Sequence, residues 1–311
     1  MPAALPSNHW ASLREAGASA GLWFLYGVYR LGGRWIYRAL LIPVAAYFVL
    51  ARGVARRASI DYLQRVGTLA PDASIWTRFA QVVRHVYHFA DVLLDKALAW
   101  TGALDLSKMQ VNSDQRFEAA VRSGRGGVIV VAHIGNLDVL RSLGKRLPGV
   151  RLQILVHTRH AQRFNRLLTR LNVEATANLR QVTDVDAAVA AELSARVDAG
   201  EFVVIAADRV PVSGAGRSLP ISFLGAPAPL PVGPWVLAAA LRCPVYWLVC
   251  FKRDGEYVVD CELLAESIAL PRASRDEALR TVMRGFAARL EAVCRHAPYQ
   301  WFNFYPFWIA Q

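Results

Sequence analysis

Five short runs rich in β-branched residues are spaced along the second part of the chain. They are GGVIVVA (126 to 132), RLQILVH (151 to 157), EFVVIAA (201 to 207), CPVYWLV (243 to 249) and EYVVDCEL (256 to 263). Between them lie amphipathic stretches with apolar residues at three and four spacing, near 136 to 147, 161 to 171, 184 to 198 and 232 to 242. A further helix is expected over about 275 to 295. Strands that alternate with helices bury their apolar runs in one sheet, with the helices covering its faces. This pattern predicts an α/β fold with a mostly parallel central sheet over residues 111 to 311.

Residues 1 to 110 read differently, as an N-terminal helical membrane-docking region. The stretch GLWFLYGVYRLGGRWIYRALLIPVAAYFVLA (21 to 51) contains an unbroken apolar run of 13 residues, Ala39 to Ala51, with Pro43 inside it. A spanning helix needs about 20 such residues. Arg30, Arg34 and Arg38 form one helical stripe, and Trp23, Tyr26, Tyr29, Trp35 and Tyr37 suit a headgroup layer. The reading is an interfacial or re-entrant helical hairpin, with a hydrophobic core helix pair as the alternative. Residues 52 to 70 and 74 to 100 also carry helical periodicity. His85 and His88 stand at i, i+3 in the second, where a packed helix face is favoured over metal ligation, since no third ligand is evident.

Composition narrows the class. Apolar residues make up 54% of the 311 and the net formal charge is +12. The first 70 residues hold eight arginines and two acids, so basic and apolar character coincide. That coincidence favours an anionic lipid surface over a nucleic-acid groove. Only Lys96, Lys108, Lys145 and Lys252 are lysines; the other basic residues are arginines, which grip phosphate and carboxylate bidentately. The four cysteines, Cys243, Cys250, Cys261 and Cys294, have no CxxC spacing and read as buried thiols of a reducing compartment. The N-terminal residues do not read as a cleavable signal peptide.

The chemistry is expected where VIVVAHIGNLDVLR (128 to 141) leaves a strand. In open α/β sheets, sites collect beyond the carboxyl ends of strands. His133 stands at such an end, Gly135 permits a tight turn, Asn136 is a good helix N-cap, and Asp138 falls in the first helical turn. Across this junction the carboxylate can reach back to the imidazole, fix its tautomer and leave the other ring nitrogen as a base. The alternative is a histidine that merely caps a strand. GASAG (17 to 21) has the spacing of a serine elbow but follows no strand. Without a protein nucleophile, the base would act directly on a substrate hydroxyl.

The block VVAHIGNLDVLR resembles the HxxxxD/E motif of the bacterial lysophospholipid acyltransferase-like superfamily, and most of all the late acyltransferases of lipid A biosynthesis. Further blocks match in order. LVHTRHAQRFNRLL carries Arg159 and Asn165. IAADRVPVSGAGRSLPISFLGAPAPLPVGPWVLA carries Asp208, Phe223, Leu224 and Gly225, with Arg209 where the family has glutamine. The resemblance covers roughly residues 110 to 311 and, more loosely, the N-terminal helices. It implies a glycerolipid-acyltransferase-like fold, His133 as general base, Asp138 as its partner, and substrate-binding roles for Gly135, Asn136, Arg159, Asn165, Asp208 and Arg209. It implies neither metal nor cofactor.

Arg159, Arg163, Arg166 and Arg170 step along one helix face. Such a stripe is by default solvated; here Arg159 is the candidate for donor phosphate, and His157 and His160 beside it read as packing or polar contacts. The tail HAPYQWFNFYPFW (296 to 308) has seven aromatics in thirteen positions. Gln300 and Trp301 match the family ending, while Asn303 and the aromatics after it depart from it. The departure resembles acyltransferases of aryl-polyene and xanthomonadin-type pigment clusters. The tail reads as a cap over the sheet edge, as a wall of an acyl channel, or as both.

The expectation is therefore an O-acyltransferase on the cytoplasmic face of the inner membrane. Its donor would be an acyl carrier protein or coenzyme A thioester and its acceptor a membrane lipid or glycolipid-like hydroxyl. Nucleic acid is not an expected partner. The rivals are a lipid esterase that uses the same pair on water, and a non-enzymatic membrane or nucleic-acid binding protein.

Overall fold

The computed structural model describes residues 19–139, 150–156, 179–181, 186–210 and 217–308. The predicted helices over 161 to 171 and most of 136 to 147 lie outside these residues. Among the described ones, seven strands form a sheet in the order β1 (Gln110–Ser113), β9 (Glu256–Ala265), β8 (Val245–Arg253), β2 (Gly127–Val131), β5 (Glu201–Ala206), β3 (Arg151–Val156), β4 (Leu179–Gln181). The strands β8, β2, β5, β3 and β4 are parallel, whereas β9 turns back antiparallel on β8. All five apolar runs are strands of this sheet, as their composition predicts. The α/β expectation holds.

Three parts of the sheet have no clear signature in the sequence. The edge strand β1 is the polar QVNS and mostly exposed, and β4 is only three residues long. A separate antiparallel hairpin joins β6 (Ser218–Phe223) to β7 (Ala226–Pro231). Its sequences, SLPISF and APAPLP, carry four prolines. Proline removes ladder donors and reads as loop, yet a two-stranded hairpin tolerates it. Leu224 and Gly225 form the hairpin turn, with φ of 50° and 80°. Two successive positive φ values match the right-handed twist of the flanking strands.

The helices α4 (Gln115–Arg122), α5 (Ala187–Asp198) and α6 (Gly233–Leu241) join strands, and α7 (Arg275–His296) follows β9. One apolar cluster runs from the sheet (Val128, Val130, Val203) through Trp235 and Phe286 to the N-terminal helices (Tyr62, Val82, Val86). The four cysteines are buried free thiols.

The N-terminal helices are α1 (Ser19–Ala51), α2 (Gly53–Arg65) and α3 (Ile75–Thr101). Within 21 to 51 two helical segments meet at Gly33, whose backbone is non-helical at φ 70° and ψ −176°; the two together are labelled α1. Its partner is α3, which runs antiparallel to it. Arg34 meets Asp91 and Asp95, and Arg38 meets Asp91. Two of the three arginines in the stripe thus face α3 rather than a headgroup layer. Lys252 from β8 joins the same acids. A buried carboxylate pair is stable here because three cations surround it.

Tyr37, Leu41, Ala45 and Val49 are buried along one stripe of α1. Trp35, Ile36, Ile42, Tyr47 and Leu50 are exposed on its remaining surface. A helix that is apolar on its exposed side as well suits a lipid environment. The segment Tyr26–Ala51 is long and apolar enough to cross a membrane.

Candidate active site

The site follows from strand register. In the parallel pair β2 and β5, Val131 lies opposite Ala206. The N–H of Ala207 donates to the carbonyl of Val131 at 2.9 Å, extending the ladder by one rung. His133 and Asp208 each stand two residues past that paired position. Two neighbouring strands therefore deliver an imidazole and a carboxylate to the same level at the carboxyl edge of the sheet.

His133 Nδ1 lies 2.7 Å from Asp208 Oδ1, and the backbone N–H of His133 donates to Asp208 Oδ2 at 3.0 Å. The indole Nε1–H of Trp301 donates to the same Oδ2 at 3.3 Å. Asp208 is fully buried. Burial alone would raise its pKa, but the adjoining imidazole, its hydrogen bonds and the nearby Arg209 hold it down at about 2. An ionised carboxylate only accepts, so Nδ1 of His133 carries the proton and Nε2 keeps its lone pair. The pKa of His133 is lowered by burial first and then by Arg209, against the pull of Asp208. The ring is thus neutral near pH 7. Its side chain keeps 38% exposure although Asp208 has none, so the open part of the ring is away from Nδ1. This is the geometry of a general base oriented by an acid.

The partner of His133 differs from the sequence expectation. Asp138 forms an ion pair with Lys96 of α3 at 2.9 Å, and the acid on the ring is Asp208. The reason is the backbone after His133. Gly135, at φ 61°, lies so close to β8 that a Cβ there would stand 1.9 Å from the carbonyl oxygen of Cys250. Its N–H donates to Gln300 O at 2.8 Å, and that of Asn136 to Cys250 O at 2.9 Å. These bonds draw the chain toward β8, whereas Asp208 stands on the other neighbouring strand, β5.

Gly135 and Asn136 are tied into the fold at this turn. Gly135 is a site of close backbone approach. Asn136 is buried, with its Nδ2 donating to Tyr257 Oη at 3.2 Å and its Oδ1 accepting from the N–H of Asp138 at 3.1 Å. The second bond closes a turn two residues on; the first turns the side chain into the core, onto a tyrosine that in turn donates to Asp95 at 2.7 Å. Arg209 donates to Phe302 O at 2.9 Å, beside the site. Arg159, Asn165, Arg163, Arg166, Arg170, His157 and His160 lie outside the described residues.

Residues 299 to 303 form a strap across the loop that carries His133. Ile134 bridges to Trp301, and the N–H of Phe302 donates to His133 O at 3.2 Å. Gln300 pins the strap to β8 by bonding both the N–H and the carbonyl of Lys252, at 2.8 and 2.7 Å. The aromatic tail is thus a cap: Phe302 and Phe304 pack edge-on against Phe89, and Trp308 stacks on Phe223. His88 stacks on Tyr299. Sequence reasoning missed Trp301, Lys96 and His85 as neighbours of the site. The signal available was the shared ending of two apolar runs, VVAH and IAAD, on a polar group at the same offset.

A histidine held by a buried carboxylate thus stands at the carboxyl edge of an α/β sheet. The chain belongs to the bacterial lipid A biosynthesis acyltransferase family, whose profile matches residues 7–309. No curated protein matches it at a significant level. The family is one of membrane-associated acyltransferases, and acyl transfer is the activity it supports for this chain.

Proposed function

We propose that the chain is an O-acyltransferase that moves an acyl chain from a carrier-protein or coenzyme A thioester to a hydroxyl of a lipid or lipid-like acceptor. The observation that carries this reading is the 2.7 Å contact between His133 Nδ1 and Asp208. His133 Nε2 takes the hydroxyl proton, and the acceptor oxygen attacks the thioester carbonyl. The tetrahedral intermediate collapses, the C–S bond breaks, and the imidazolium returns its proton to the leaving thiolate. Asp208 stabilises the imidazolium throughout. Asp138 acts through Lys96 on the loop. Arg159 is proposed to hold the phosphate of the donor's pantetheine arm, and Asn165 to bind substrate.

The membrane surface follows from the exposed row Trp35, Ile36, Ile42, Tyr47 and Leu50. Arg52, Arg56 and Arg57 come directly after α1, suited to anionic headgroups on the cytoplasmic face of an inner membrane. Replacing Tyr47 and Leu50 together by serine is expected to lower partitioning onto phosphatidylglycerol vesicles about tenfold. Unchanged cosedimentation would remove this face as the docking surface.

Turnover of lauroyl-acyl carrier protein, followed by thiol release with and without under-acylated lipid A, tests the chemistry. Acceptor-dependent release that vanishes in His133→Ala is the expected result. Release of free fatty acid independent of acceptor would favour the esterase reading. An acceptor of the pigment-cluster type is the alternative substrate if lipid A is not acylated.

A further inference from the structure

The described residues contain a buried histidine that the proposed mechanism does not use. His85, in α3, is fully buried. Its Nε2 lies 2.9 Å from the carbonyl oxygen of Trp301, and its Nδ1 lies 2.8 Å from Ser59 Oγ in α2. A carbonyl oxygen only accepts, so Nε2 must carry the proton. Nδ1 then has only a lone pair, and the serine hydroxyl donates to it. Both partners fix a single neutral tautomer. Tyr62, Phe302 and Phe304 surround the ring at centroid distances of 5.4, 6.4 and 4.7 Å.

The residue that His85 holds is also the residue that holds Asp208. Trp301 is 1% exposed. Its ring is met edge-on by Tyr62, Phe223 and Phe307 at 5.0, 5.3 and 4.9 Å. Its indole N–H is spent on Asp208 Oδ2, and its backbone is bridged to Ile134, next to His133. One unbroken path of hydrogen bonds therefore runs from Ser59 through His85, Trp301 and Asp208 to His133. It starts in the N-terminal helices and ends on the ring that faces the acceptor.

We propose that His85 and Trp301 are positioning residues: the buried imidazole holds the strap at Trp301, and the indole N–H holds Asp208 in the orientation that aims His133 Nε2 at the acceptor hydroxyl. This rests on the reading of His133 as general base. Trp301 also tunes the base. The N–H spreads the negative charge of Asp208, so losing it strengthens the pull of the carboxylate on the imidazolium and raises the pKa of His133. The charged groups facing His133 are Asp208, Arg209 and Lys96. Those near Asp208 are His133 and Arg209, with the neutral Tyr305 and Cys294 also close. His88 is the ionisable neighbour of His85.

The test uses the full chain in detergent, with lauroyl-acyl carrier protein as donor and under-acylated lipid A as acceptor. Trp301→Phe keeps a ring but no N–H, and it is expected to lower kcat about tenfold or more with KM within about twofold. The acid limb of kcat/KM should move to higher pH. His85→Phe should lower kcat similarly, and His85→Gln should recover most of it by offering an N–H to Trp301 O. Wild-type kcat and pH limb in Trp301→Phe and His85→Phe, with His133→Ala inactive, would overturn the positioning role alone. Losses that track loss of folded protein, with no movement of the limb, would overturn it too. Wild-type-like turnover in His133→Ala would instead remove the base reading.

Nitrogen-15 NMR of the histidines reads the same arrangement without turnover. The wild-type protein should show His85 as neutral Nε2–H and His133 as Nδ1–H. The His133 Nδ1 proton should shift in Trp301→Phe or, if that variant does not fold, in His85→Phe. A His85 found as Nδ1–H, or a His133 resonance unmoved in the variant, overturns the proposal.

Discussion

Two histidines of this chain are held by opposite means. His133 stands at the rim of the sheet with 38% of its side chain open, and its Nδ1 is on an ionised carboxylate. His85 lies sealed below, between a serine hydroxyl and a main-chain carbonyl, with no charge in its hydrogen bonds. A carboxylate partner stabilises the imidazolium and so lets a ring accept a proton. Neutral partners in a dry site keep the ring uncharged; burial brings the pKa of His85 down to about 4. On the proposed reading the same side chain serves as a base in one place and as a fixed strut in the other. What separates them is the charge of the partner and access to solvent.

The comparison is broken most directly at the rim. His133→Ala is expected to lower acyl transfer by at least about 10³-fold with the fold intact, as loss of a general base does. Near-normal turnover measured with thioester and acceptor would end the distinction. Asp208→Asn should cost on the order of 10²- to 10³-fold in kcat, because an amide both loses the charge and can present the wrong atom to Nδ1. The measurement is kcat beside an unchanged circular dichroism spectrum.

Acid stability sharpens the other half. In the unfolded chain His85 would titrate near its ordinary 6.5, but folded it resists protonation down to about 4. The unfolded state therefore binds the extra proton in that window, so stability falls as pH drops from about 6.5 to about 4. His85 alone contributes roughly 3 kcal/mol to that fall. His88, whose pKa burial also lowers to about 4, adds in the same direction. Below that range Asp208 and Asp91 lose their native interactions as they protonate. Urea unfolding across pH should show a shallower slope in His85→Gln than in the parent. An identical slope would mean that His85 is protonated in the native protein.

The smallest effect separates the two acids near the ring. Asp138→Asn removes the partner of Lys96 rather than that of His133, and it is expected to cost about tenfold in kcat, less than Asp208→Asn. If Asp138→Asn costs more, the sequence-near acid is the partner in turnover, and the contrast between the two histidines needs a different acid.

Much of this arrangement was legible in the chain itself. The runs of β2, β5 and β8 are strands because β-branched residues without polar interruption bury well on both faces of a sheet. His133 marks a strand end because an imidazole, a glycine and an N-capping asparagine follow such a run. Less was legible where composition misleads. The β6–β7 hairpin is hidden by its prolines, and Arg34 and Arg38 read as a surface stripe until α3 brings Asp91 and Asp95 against them.

By itself the sequence determined local features: that the five apolar runs are strands, where the β2 strand stops, and that a histidine waits there. Only the tertiary structure decided which acid meets that histidine. Spacing along the chain favours Asp138, five residues on. The register of two parallel strands instead brings up Asp208, and the pull of the Gly135 turn toward β8 leaves Asp138 to Lys96. Parallel pairing joins residues that are distant in sequence, so no local pattern can encode it. The same holds for His85 and Trp301, which meet only because the C-terminal strap packs against the N-terminal helices.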